Sequence, residues 1–288
     1  MKHSFDITVI VTRYGEPDSL VKQCLESLRA QKETRILVLF LDQKVSDDIK
    51  IFCEQTWTDK ITLRYVNIPA KSLSYARNFG VEHAESNFAA FCDADCILAE
   101  NWTKEIIETF RKTGAALVGT KIIPVWQSRT SWYHRSRIIQ EFYSLIDLSD
   151  IRIEANKAVG ASFAIDRNKV GARIIFDEKL DRQKGSLLSG GDTEYCKNVK
   201  DAGGKIVYTP HTFARHVVSP ERINFGWIVK RAYYGGFSRA LRKGKIEPFT
   251  SQRRLIDYLA VATILPSYIY GYARGKASQM SGKASVSL

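Results

Sequence analysis

Acid is scarce relative to base in this chain: 31 Asp and Glu stand against 43 Lys and Arg, a formal charge of +12 over 288 residues. Such an excess points to an anionic partner, whether a phosphorylated substrate, a lipid surface or nucleic acid. Cysteine is sparse as well, and its odd count of five contains no Cys-x-x-Cys pair. This argues against a disulfide framework and against a thiolate zinc site. Cys24, Cys53, Cys92, Cys96 and Cys196 therefore read as reduced, mostly buried thiols. No basic start followed by a long apolar run opens the chain, which predicts a protein without a secretory leader that stays in the cytoplasm. No segment repeats, and none is of low complexity.

What is present is ordinary globular sequence, 44% hydrophobic and 26% charged, long enough for one large domain with or without an appendage. Apolar runs at 7–11, 36–41 and 88–92 read as buried strands, and 61–68 alternates like a strand. Between them, Leu20, Val21, Cys24, Leu25 and Leu28 recur at helical spacing, and 47–56 and 72–84 also read as helices. Further on, helices are expected at 102–112 and 189–202, and strands at 115–123, 158–165 and 205–208. Residues 126–156 carry many aromatics and charges with weak periodicity and receive no assignment. Strands alternating with helices predict an α/β fold around a mostly parallel sheet with helices on both faces. Ligands of such sheets bind beyond the carboxyl ends of the strands. Thr12-Arg13-Tyr14, Asp42 and Asp93-Ala94-Asp95 all fall at such ends.

Each of these features has a bland reading beside the chemical one. With 16 aspartates in the chain, about one Asp-x-Asp match is expected by chance. Position at a strand end is what makes Asp93 and Asp95 candidates to hold Mg²⁺ or Mn²⁺, hard ions that prefer oxygen and retain substrate phosphates; an acidic turn before a helix is the alternative. His216 could add an imidazole ligand or be structural. Asp192, after Gly190-Gly191, could act chemically or simply cap a helix. Lys71 and Arg77 could neutralise a diphosphate or belong to a solvated helix face.

Taken in order, the motifs resemble the family 2 glycosyltransferases of the GT-A, Rossmann-like fold. Ile10-Val11-Thr12-Arg13-Tyr14-Gly15-Glu16-Pro17 is similar to the family's opening strand and turn, and Asp42 to the acid closing its second strand. Ser74-Tyr75-Ala76-Arg77-Asn78-Phe79-Gly80 is similar to its Ala-Arg-Asn helix, and Asp93-Ala94-Asp95 falls where it has its metal-binding acids. Gly191-Asp192-Thr193-Glu194 resembles the segment that supplies its catalytic base, and His216 its late histidine. The resemblance spans roughly residues 7–218.

It implies an inverting, metal-dependent transfer from a nucleotide-sugar to a hydroxyl of a glycan or lipid-linked acceptor. Thr12, Tyr14, Glu16, Asp42, Lys71, Arg77, Asp93 and Ala94 would bind the donor. Asp95 and His216 would hold Mn²⁺ or Mg²⁺, and Asp192 would be the base. The sequence departs from the family's commoner pattern in three places. Thr12-Arg13 replaces Pro-Thr, Asp42-Gln43 replaces Asp-Asp, and Gly191 stands where many members carry Glu.

A catalytic domain is therefore expected over 1–220, with a donor half at about 1–100 and an acceptor half at about 101–220. A basic, amphipathic helical extension is expected over 221–288. Residues 222–254 hold nine Lys or Arg against the single acid Glu247, and 258–273 carry no charge. Aromatics mixed with cations suit an anionic membrane face. The uncharged run is shorter than the roughly 20 residues a spanning helix needs, so an interfacial helix on the cytoplasmic face or a helix packed on the domain is expected. No nucleic-acid module surrounds these residues. A sugar-nucleotidyltransferase is the rival enzyme class, though residues 12–15 lack the Gly-rich loop such enzymes carry. A non-catalytic membrane-associated relative is the second rival, disfavoured by the presence of Asp192.

Overall fold

The fold is that of a computed structural model, which describes residues 4–55, 57–181, 186–243 and 254–280. In chain order the strands are β1 (Ile7–Arg13), β2 (Ile36–Asp42), β3 (Ile61–Asn67), β4 (Phe88–Asp93), β5 (Cys96–Leu98), β6 (Leu117–Trp126), β7 (Ile153–Glu154), β8 (Ser162–Asp166) and β9 (Ile206–Val218). The helices are α1 (Asp18–Arg29), α2 (Asp47–Cys53), α3 (Leu73–Glu82), α4 (Trp102–Thr113), α5 (Arg137–Phe142), α6 (Arg167–Val170), α7 (Gly191–Asp201), α8 (Phe225–Leu241) and α9 (Leu255–Met280).

The strands form one sheet in the order β3-β2-β1-β4-β8-β6-β9-β5, with β7 on β9. β1 and β2 are buried along their whole length, which is why they read as unbroken apolar runs. The expected parallel order holds through β3, β2, β1 and β4. Beyond β4 the pairing is mixed: β8 runs against β4 and β6, and β9 against β5 and β7, while β6 and β9 run the same way, with Ala116 N–H bonding Lys205 O at their starts and Gln127 N–H bonding Val218 O at their ends. The sheet is thus mostly parallel, as expected, with the short strands β5, β7 and β8 running against the rest. A buried run such as 158–165, which holds most of β8, does not reveal strand direction, because an inner strand is apolar on both faces whichever way it runs.

Contacts divide the chain into two compact units. The first comprises Met1–Pro124, Ile146–Glu178 and Asp192–Val217; the second comprises Val125–Leu145, Lys179–Gly191 and Val218–Leu288. The described residues from 221 onward fall in the second, together with those of 125–145 and 179–191, segments that the sequence alone assigns to the catalytic domain.

In the second unit α8 and α9 pack with very little space between them. A Cβ on Gly236 would overlap the backbone of Tyr268, and one on Gly271 the backbone of Tyr233. Ser267 Oγ donates to Val229 O (2.9 Å), and Gln279 Nε2 to Leu241 O (2.9 Å), so the contacts advance together along both helices, which run parallel. α5 packs on the pair. The segment left unassigned in the sequence is ordered there by aromatic contacts. Trp126 meets Tyr143 edge-on at 5.1 Å between centroids, and Tyr143 stacks on Trp227 at 4.8 Å.

Candidate active site

The first unit brings Asp42, Asp93, Arg77 and Asp192 to the carboxyl edge of its parallel strands, but it uses them differently. Register places Arg13 opposite Asp42 and Thr12 opposite Asp93, so the end of β1 lies between the two acids.

On the β2 side the charges are spent on structure. Arg13 is fully buried. Its Nη1 donates to Asp42 Oδ2 (3.4 Å), Nε and Nη2 donate to Glu16 O (3.2 and 3.1 Å), and Nη2 pairs with Asp18. Asp42, also fully buried, accepts from Tyr65 Oη (3.1 Å) and from the Lys44 N–H (2.9 Å). Burial and the nearby Asp42 charge push the Tyr65 phenol up to about 12. Arg13, unexplained in the sequence, is thus the cation that neutralises Asp42 and ties down the turn after β1. In that turn Glu16 accepts from the Tyr14 and Gly15 N–H groups (2.8 and 3.0 Å), while the Tyr14 ring stands exposed. Burial, and then the negative charge of Asp95, raise the Glu16 carboxyl above its ordinary value. Thr12 is buried beside them.

On the β4 side the carboxylates face one another. Arg77, on α3 with its side chain 4% exposed, donates Nη1 to Asp192 Oδ1 (2.6 Å) and Nη2 to Asp93 Oδ1 (3.0 Å). The second Asp192 oxygen accepts from the Gly160 N–H (2.8 Å). A Cβ on residue 160 would overlap the Arg77 guanidinium, so glycine is what lets the backbone come this close. Asn78 fixes the floor: its amide donates to Phe176 O (3.0 Å) and accepts from Phe176 N–H (2.9 Å). The Phe176 ring then lies 5.5 Å from the Arg77 guanidinium and stacks on Tyr195 at 4.1 Å. Burial pushes the Asp93 carboxyl up, Arg77 opposes this, and the Asp95 and Asp192 charges add to it; the net direction is upward.

The turn between β4 and β5 presents Asp95 and buries Ala94. His216 lies within β9, which runs on past the strand expected at 205–208, directly opposite Cys96 of β5. Its Nε2 is 3.2 Å from Asp95 Oδ2, and its Nδ1 is buried without a hydrogen-bond partner. A carboxylate and an imidazole at this distance, with a ring nitrogen left over, fit a divalent ion of the manganese type. Asp95 and His216 are the residues that would hold it.

Arg77, Asp93 and Asp192 are therefore brought into direct contact, as are Asp95 and His216, with Glu16 close enough to Asp95 to feel its charge. Lys71 is exposed, with its ammonium 4.4 Å from the centre of the Tyr75 ring. Gly160 and Phe176 receive no role from the sequence; the one signal for Gly160 is the small-residue stretch Gly160-Ala161-Ser162 inside the apolar run 158–165.

A family model described as Glycosyl transferase family 2 matches residues 8–178. Succinoglycan biosynthesis protein ExoM of Rhizobium meliloti is 24% identical, over 80% of this chain and 72% of its own. Glucosyl-dolichyl phosphate glucuronosyltransferase of Haloferax volcanii is 22% identical, over 81% of this chain and 76% of its own. Among solved structures, that of GalNAc-T7 with UDP, GalNAc and Mn²⁺ superposes with a TM-score of 0.58 at 13% identity; it covers 96% of this chain, which spans 57% of that one. That likeness is one of fold, a GT-A glycosyltransferase fold.

The class that the sheet defines is an α/β protein of the GT-A fold. The chain belongs to glycosyl transferase family 2, and the enzyme class is glycosyl rather than nucleotidyl transfer.

Proposed function

We propose that this enzyme transfers a sugar from a nucleoside diphosphate sugar to a hydroxyl of a glycan or lipid-linked acceptor, with inversion at the anomeric carbon. The observation that carries the reading is Arg77 bridging Asp93 and Asp192 beside the Asp95–His216 pair. Asp192 is the base. A carboxylate has about four lone-pair positions, so contacts with Arg77 and Gly160 leave room for an acceptor hydroxyl. The hydroxyl proton passes to Asp192, its oxygen bonds to the anomeric carbon, and the bond from that carbon to the diphosphate oxygen breaks. Thr12, Tyr14 and Glu16 form the nucleoside side of the site. Buried Asp42 serves it through Arg13, which holds the turn. Asp93 meets the donor, with Ala94 turning the chain between the two acids, and exposed Lys71 meets phosphate. Arg77 keeps Asp93 and Asp192 in register. A divalent ion, Mn²⁺ or Mg²⁺, held by Asp95 and His216 would neutralise charge developing on the departing diphosphate.

Support for the acceptor class comes from relatives named for succinoglycan biosynthesis and for a dolichyl phosphate sugar. Support for the metal comes from the fold neighbour bound to Mn²⁺ and UDP. The test is a screen of nucleotide-sugars with Mn²⁺, reading nucleoside diphosphate release in the presence of candidate acceptors. The expected loss on Asp192→Asn is about 10²–10⁴-fold in kcat with donor binding kept. Unchanged transfer by that variant would remove Asp192 from its role.

The enzyme acts, in this reading, on the cytoplasmic face of an anionic membrane. No described helix is long and apolar enough to cross a bilayer. α9, however, turns Leu255, Tyr258, Leu259, Ile269 and Tyr270 outward, with Arg254 and Arg274 exposed near the ends of this apolar face. An apolar face edged by cations suits an interface. Replacing Tyr258, Leu259, Ile269 and Tyr270 by glutamine is expected to weaken binding to phosphatidylserine vesicles at least about tenfold. Equal binding would leave α9 as a packing element alone.

A further inference from the structure

The metal pair has a neighbour that neither the motif nor the resemblance assigns. Cys96 is the direct cross-strand partner of His216 in the β5–β9 ladder. Side chains of such partners leave the sheet on one face, with Cβ atoms about 4.5–5.5 Å apart. Its Sγ, an Asp95 carboxylate oxygen and a His216 ring nitrogen all lie within 4.8 Å of one another, the one such group of three donors among the described residues. Cys96 is fully buried, and its Sγ is 3.9 Å from Asp95 Oδ1.

No other thiol among the described residues joins this group of donors, although the Cys92 thiol hydrogen-bonds that of Cys96. Cys24 and Cys92 Sγ lie 3.8 Å apart and both turn to the Asp93 carbonyl. Cys53 and Cys196 are buried elsewhere. A thiol with only packing to do behaves as a small apolar group; Cys96 instead sits against a carboxylate and an imidazole.

We propose that Cys96 is a third protein ligand of this site when it holds a borderline ion such as Co²⁺ or Zn²⁺, making it a centre of oxygen, nitrogen and sulfur donors. The inference rests on Asp95 and His216 being metal ligands. Mn²⁺ and Mg²⁺ prefer oxygen and gain little from sulfur, whereas Co²⁺ and Zn²⁺ bind thiolate and imidazole well. In the binding step the metal–sulfur bond forms, the S–H bond breaks, and the proton leaves to solvent. Bonds of about 2.0–2.3 Å bring donors to roughly 3.5 Å of one another around a tetrahedral ion, so the three donors have little distance to close. The consequence for the enzyme is selectivity: Zn²⁺ competes with Mn²⁺ for the site through a ligand that Mn²⁺ does not use.

Titration of the full-length protein with Co²⁺ alone tests this by absorption spectroscopy. The expected spectrum has visible ligand-field bands and a sulfur-to-cobalt charge-transfer band in the near ultraviolet, saturating together. Cys96→Ser and Cys96→Ala should keep the first and lose the second. By calorimetry both variants should bind Zn²⁺ at least about tenfold more weakly, with Mn²⁺ affinity changed less than about threefold. Cobalt binding without a charge-transfer band in the unmodified protein overturns the role of Cys96 and leaves Asp95 and His216 in place. A band that survives in Cys96→Ser assigns the sulfur elsewhere and overturns it too, as does equal weakening of Mn²⁺ and Zn²⁺. Failure to bind Co²⁺ or Mn²⁺ at all removes the metal site itself, and this inference with it.

Discussion

β2 and β4 flank β1 and both end in aspartate, at Asp42 and Asp93, yet the two carboxylates live under opposite conditions. Asp42 is fully buried and its oxygens are taken by Arg13, Tyr65 and the Lys44 N–H. Asp93 keeps 27% of its side chain exposed, and its one buried cation, Arg77, is shared with Asp192 from a helix far along the chain. A buried carboxylate whose oxygens are all taken, as those of Asp42 are although Arg13 also pairs with Asp18, is a finished structural unit. Several acids around one shared cation form a site with unspent acceptor capacity, because further lone pairs remain for a hydroxyl, a ribose or an ion. Position at a strand end does not separate these cases; the number of partners does.

The strongest way to break the comparison is to free the acid at β2. Arg13→Met should destabilise the protein by about 3–5 kcal/mol, because it strands Asp42 as an uncompensated buried charge. Denaturant unfolding reads this. The double variant Arg13→Met/Asp42→Asn should recover part of the loss, as coupled neighbours do. If Arg13→Met instead left stability within about 0.5 kcal/mol and abolished donor binding, Arg13 would belong to the site and the contrast would fail.

A smaller effect sharpens the contrast from the second unit, where Asp257 repeats the condition of Asp42. It is buried, accepts from Ser136 Oγ (2.8 Å) and the Arg137 N–H (2.9 Å) at one oxygen, and accepts from the Arg254 N–H (3.1 Å) at the other. Burial raises its carboxyl, but the hydrogen bonds from Ser136, Arg254 and Arg137 outweigh this and hold it below its ordinary 3.8. Because the folded value is the lower one, its stabilisation is present above the unfolded value and disappears as pH falls through the folded value. Asp257→Ala should cost about 2 kcal/mol at neutral pH, and less at pH below 3.8. Thermal melts across that range read the difference. An equal cost at both ends would mean that the side chain acts by packing.

Much of the first half of the fold was legible because β1, β2 and β4 are buried on both faces and spell continuous apolar runs. The strands near the metal pair were harder. β5 has three residues, too few for any period to show, and β9 continues through Pro210 and the exposed His211 and Arg215, which break the apolar pattern after 208. At the site, the types and order of Asp93, Asp95, Asp192 and His216 could be read from the chain. The coupling of Asp192 to Asp93 through Arg77, and the pairing of Cys96 with His216, could not. Both join segments about a hundred residues apart, and local pattern carries no record of such tertiary contacts. Residues 126–156 were opaque for a similar reason, since rings such as Trp126 and Tyr143 order that stretch by packing on one another and on Trp227.

The contrast between the two strand ends is tested most directly by Mn²⁺ binding measured by calorimetry on Asp95→Asn and Asp42→Asn side by side. Asp95→Asn is expected to lose at least about a hundredfold in affinity, while Asp42→Asn, though less stable, keeps Mn²⁺ binding within about threefold. Retention of Mn²⁺ by Asp95→Asn, or its loss from a folded Asp42→Asn, would contradict the assignment of chemistry to the end of β4 and structure to the end of β2.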